Sequence, residues 1–133
     1  MTEVKQANAI EVHVSIAANK PWQGTGVFVN GWEKVSIRYI SGQWSDNPST
    51  GNTDANGNPK FKAKDGYTFP GANEGAMIGR IGSTKFLVGD FAEIPMSLSG
   101  QIELCINDDL DGRYGSGLKD NTGDLMMEIM QIL

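Results

Sequence analysis

A chain of 133 residues can bury one hydrophobic core but not two ordinary ones, so a single domain over 1–133 is expected. The net charge is −5 with no Lys/Arg cluster, which excludes nucleic acid backbones and anionic lipid surfaces as natural partners. Cys105 is the only cysteine, which excludes an internal disulfide and a cysteine-based zinc cluster.

The first residues, Met1 to Asn8, are polar, and 1–9 reads as a loosely attached N-terminus. They lack the apolar centre of a signal peptide, and no apolar run approaches membrane-spanning length. The expectation is a protein that is cytoplasmic as synthesised, with no membrane insertion and with release, if any, by a non-classical route.

Ile10, Val12, Val14 and Ile16 alternate with Glu11, His13 and Ser15, the period of a strand with one buried face. His13 falls on the polar side, where a lone histidine is a surface residue. Val27 and Val29, the turn Asn30-Gly31, and the alternation Val35, Ile37, Tyr39 read as two strands joined by a short turn. From Ser41 to Asn73 glycines and prolines interrupt any periodicity, and only Lys60 to Lys64 suggests a brief strand. Loops this long are binding loops, lids or disordered segments. Trp44, Tyr67 and Phe69 argue against disorder, Trp44 as an anchor and Tyr67 as either an anchor or a ligand contact.

Order resumes at Gly75 to Gly82, where repeated glycines permit close backbone approach. No phosphate-loop spacing is present there. Lys85 to Val88 is a short apolar run, and Ile102, Leu104 and Ile106 alternate with Glu103 and Cys105, which makes Cys105 a small strand residue. The C-terminal run fits a helix through Leu125, Met126, Ile129, Met130 and Leu133, or a strand through Leu125, Met127, Ile129 and Leu133. Consistency with the strands upstream favours the strand. Many short strands with Gly, Pro and Asn turns and no clear helix indicate an all-β sandwich.

Between Asn107 and Asp124 the chain gathers Asp108, Asp109, Asp111, Asp120 and Asp124 against Arg113 and Lys119 alone. Carboxylates this dense stay ionised only beside a cation, and hard oxygen ligands suit Ca²⁺. A solvated acidic turn is the competing reading. Asn107, Asp109, Asp111 and Gly112 have the spacing of an EF-hand loop, but Leu118 stands where its closing glutamate belongs. A second geometry takes Asp108 or Asp109 at the end of one strand and Asp120-Asn121 at the start of the next, with loop carbonyls completing the shell, and it is preferred.

The order Trp22, Thr25-Gly26-Val27, Gly42-Gln43-Trp44, Pro48, Gly75 to Gly82, Ile106-Asn107-Asp108, Tyr114-Gly115 and Asp120-Asn121-Thr122-Gly123 resembles the bacterial PA-IL-like (LecA-like) galactose-binding lectins, from about Val14 to Ile129. The resemblance implies a small jelly-roll β-sandwich of galactose-binding-domain type. It also implies a homo-oligomer, dimer or tetramer, that holds Ca²⁺ and uses it to bind sugar hydroxyls of glycans. Asp108, Asp120 and Asn121, with carbonyls near Arg113 and Asp46, are then the metal ligands. Asp108, Asp120, Asn121 and Tyr67 are the sugar contacts. Two departures stand out: extra residues around Leu110 and between Gly115 and Asp120, and no histidine in 45–74. A calcium-stabilised structural or protein-interaction module of the same fold is the alternative. An enzyme is not expected, because carboxylates held ionised around a cation make a poor general acid.

Overall fold

A computed structural model describes residues 9–132. All but the last residue of the segment read as a loose N-terminus, and Leu133, lie outside that range. Nine strands are present among the described residues: β1 (Ala9–Ala17), β2 (Gln23–Val29), β3 (Lys34–Ser45), β4 (Asn56–Lys62), β5 (Asn73–Ile81), β6 (Thr84–Leu87), β7 (Phe91–Glu93), β8 (Gly100–Ile106) and β9 (Thr122–Ile132). They form two antiparallel sheets, one ordered β1-β9-β3-β7 and the other β2-β8-β5-β4, with β6 also paired to β5. The protein is an all-β sandwich, as the alternating apolar pattern requires.

The period of two explains which residues meet between the sheets. Ile16 from β1, Val35 and Ile37 from β3, and Leu125, Met127 and Ile129 from β9 face Val27, Val29, Met77, Ile81, Ile102, Leu104 and Ile106 from the other sheet, and all are buried. Each such side chain contributes roughly 1.5–3 kcal/mol by leaving water. The C-terminal run is therefore a strand, and Met126 and Met130 lie on its other face. Cys105 is buried in β8, and burial pushes its thiol up to about 12.

The Asn30-Gly31 turn joins two strands as expected, and these belong to different sheets: β2 pairs β8, whereas β3 pairs β9 and β7. Two sequence expectations change. The long irregular segment is shorter than expected. After a bulge between Tyr39 and Ser41, β3 continues to Ser45 against the start of β9. Gly42 belongs to that strand because its φ is +101° and a Cβ there would lie 2.5 Å from the Asp124 carbonyl oxygen. The brief strand expected at Lys60 to Lys64 starts earlier, at Asn56.

Candidate functional site

Four strand ends converge at one end of the sandwich. Ser45 ends β3 opposite Thr122, the first residue of β9. Ile106 ends β8 opposite Met77, and the pairing runs on past the strand, since Gly75 N–H donates to the Asn107 carbonyl (2.8 Å) and Asn107 N–H to the Ala76 carbonyl (2.8 Å). This register brings Glu74 beside the acidic loop. Trp44 is fully buried below, and its indole N–H donates to the Gly75 carbonyl (2.8 Å). The expected anchoring role of Trp44 is thus fulfilled, and it ties β3 to the head of β5.

The polar residues after β8 divide their tasks. Asn107 is fully buried; its amide NH₂ donates to the Phe69 and Asn73 carbonyls (both 3.0 Å) and its amide oxygen accepts from Phe69 N–H (2.9 Å). Thr68 donates to the Ile106 carbonyl (2.6 Å). Together they clamp the Tyr67–Phe69 stretch over the strand ends. Asp109 accepts from Arg113 N–H (2.8 Å) on one oxygen and from Tyr114 N–H (2.6 Å) on the other. Its carboxylate closes the turn, and Asn107 is committed elsewhere, so the side chains of an EF-hand loop do not assemble here.

Asp108 is the carboxylate that faces the site. One oxygen accepts from Asp109 N–H (2.7 Å) and the other from the Asn121 amide NH₂ (2.7 Å). Asn121 also donates to the Ala18 carbonyl (2.8 Å), which fixes its orientation. Its buried amide oxygen has no hydrogen-bond partner among the described residues. A buried acceptor left unpaired costs about 1–3 kcal/mol.

Asp46, Glu74, Asp108, Asp109 and Asp120 line one cavity of about 80 Å³, with Tyr67, Tyr114 and Gly115 to Gly117 around it. Room for a few water-sized occupants and a wall of carboxylates suits an ion and its water better than an apolar ligand. Burial, and then the neighbouring Glu74 carboxyl, push Asp46 up to about 7. Burial pushes Asp108 up to about 6 in spite of the Asn121 and Asp109 donors. Negative charge is therefore crowded here, with no Lys or Arg among the described residues that line the cavity. Tyr67 packs tilted against Tyr114, with ring centroids 5.8 Å apart, and burial with the neighbouring carboxylates pushes its phenol up to about 12.

Of the residues expected from sequence, Asp46, Asp108, Asp120 and Tyr67 line this cavity, and Asn121 buttresses Asp108. Arg113 stands beside it: its guanidinium lies 5.4 Å from the Tyr114 ring, and the lining passes to Tyr114 and the three residues that follow. Glu74 was not anticipated. The only sequence signal for it is a carboxylate at the head of a strand that is otherwise apolar and glycine-rich.

No protein-family model matches the sequence, and no curated protein matches it. Among solved structures, the chain superimposes on the N-terminal domain of EclA, a PllA-like lectin, with a TM-score of 0.70. The two chains share a fold. At 22% identity, over 93% of this chain and 98% of the EclA domain, the likeness shows the fold and leaves the ligand to be argued from the site.

Proposed function

We propose that the protein is a calcium-dependent carbohydrate-binding protein that recognises galactose-type sugars at the strand-end cavity. The observation that carries this reading is the convergence of Asp46, Glu74, Asp108 and Asp120 on one small cavity, together with a buried, unpartnered oxygen on Asn121, the residue whose amide donates to Asp108. Such a donor set, all oxygen and strongly negative, matches what Ca²⁺ takes. Asp108, Asp120 and Asn121 would hold the ion, with Asp46 and Glu74 adding negative charge; the Tyr114 to Gly117 turn lines the same cavity. Bound there, calcium would supply coordination positions for vicinal hydroxyls of a sugar in place of water.

The rest of the work belongs to the chain. Carboxylate oxygens of Asp108 and Asp120 accept hydrogen bonds from the same hydroxyls, and charge-assisted bonds of this kind are the stronger ones. Tyr67, held by the Asn107 and Thr68 clamps, offers an aromatic wall for the apolar face of a pyranose. The lectin named as the structural neighbour supports a glycan as the ligand class. In this reading the protein binds glycans without transforming them, as a homo-oligomer.

A glycan array read with calcium chloride and again with a chelator tests the proposal. Signal on galactose-terminated glycans that disappears with the chelator and in Asp120→Ala is the expected result. Undiminished signal in the chelator would refute it. Silence on the array from a chain that binds calcium would instead favour the structural or protein-interaction module.

A further inference from the structure

We propose that the outer face of the β1-β9-β3 sheet carries a second metal site, for zinc, built from Glu11, His13 and Glu128. Glu11 and His13 stand two apart on β1 and so share a face, and His13 is directly opposite Glu128 on β9. The His13 Nε2 lies 3.0 Å from a Glu11 carboxylate oxygen and 3.2 Å from a Glu128 oxygen, and the three ligand atoms lie within 4.8 Å of one another. A ring nitrogen carries either one hydrogen or one lone pair. It therefore satisfies at most one of the two carboxylates as a donor, and as an acceptor it repels both. A cation at the point where the three atoms meet satisfies all of them at once.

The spacing and the ligand types select the metal. Ligands placed 2.0–2.1 Å from a tetrahedral zinc are about 3.3 Å from one another, close to the separations around Nε2. Calcium takes oxygen ligands, whereas imidazole with carboxylates suits zinc. A second feature points the same way. Arg38, across the sheet from Glu128, donates from Nε (3.1 Å) and Nη2 (3.0 Å) to the other Glu128 oxygen. That pair orients a carboxylate whose side chain is only 10% exposed and leaves its second oxygen for the metal, the outer support typical of metal-binding carboxylates. His13 and Glu11 are about half exposed, so the fourth position is open to water or to an incoming ligand. Six residue steps along extended β9 separate Glu128 from Thr122, about 20 Å, so this site is distinct from the acidic cavity and does not depend on the calcium reading.

His13 is the sole histidine, so its ring signals in an NMR titration are unambiguous. Zinc chloride is added to the chain in saturating calcium chloride. The expected result is a saturable shift of the His13 ring resonances at one zinc per chain, with affinity roughly tenfold or more weaker in Glu11→Gln. Glu11 is exposed, so that variant keeps the fold, which its amide spectrum verifies. Ring signals that ignore zinc would overturn the proposal. Equal affinity in Glu11→Gln would also overturn it, because a lone imidazole would then be the whole site.

Discussion

Asn121 shows at the residue scale how a local conflict points to a ligand. Its NH₂ is occupied by Ala18 and Asp108, so rotating the amide would aim an oxygen at two acceptors, and its own oxygen stays unpaired. Asn121→Ala is expected to weaken calcium binding roughly 100-fold, since losing even an outer-shell partner costs 10–100-fold; calorimetric titration measures it. The raised Asp46 and Asp108 carboxyls give a second expectation. Their folded-state values, about 7 and about 6, lie above the ordinary 3.8, so they contribute stability that is complete below about pH 4 and is lost as the pH rises through 6 and 7. In a chelator, the melting temperature is expected to fall as the pH is raised from 5 to 8. Calcium, which needs both carboxylates ionised, should remove most of that fall.

At the scale of the strand, the site depends on how tightly the start of β9 lies against the end of β3. Gly123 has φ +88°, and a Cβ there would lie 2.3 Å from the Gln43 carbonyl oxygen. Gly123→Ala therefore imposes both an unfavourable backbone conformation and a backbone clash. A loss of about 2 kcal/mol or more is expected in denaturant unfolding, along with weaker calcium binding, because Asn121 is displaced. The strands that could be read from the sequence are those with alternating apolar residues, such as Ile10 to Ile16 and Ile102 to Ile106, although burial follows the alternation only in part: Ile10 stays exposed and Cys105, on the other face of β8, is buried. The extension of β3 was hidden because Ser41, Gly42 and Gln43 carry turn chemistry, and only the bulge and the pairing with β9 make them strand. Asn30-Gly31 marked the turn but not the pairing of its strands: the same residues reverse a chain within a sheet or carry it across to the other one. β7, three residues long, is too short for a period to register.

Over the whole molecule, the acidic loop was legible as a site because its carboxylates are close in sequence. Asp46 was expected only as a backbone contributor, through the family resemblance, and Glu74 not at all, because the β5–β8 register, rather than sequence proximity, delivers it to the cavity. A fold that gathers several carboxylates at converging strand ends should gain stability from any ion that bridges them. Calcium at 100 times its dissociation constant is expected to add about 2.7 kcal/mol, seen as a rise in melting temperature that Asp108→Asn abolishes.

The most direct test of the central claim is a sequential calorimetric titration, first of calcium into the chelator-treated chain and then of galactose into the calcium-loaded chain. The account predicts calcium binding at one ion per chain, followed by galactose binding that is absent when the calcium step is omitted. Galactose binding of equal strength without calcium, or no calcium binding by a folded chain, would contradict it.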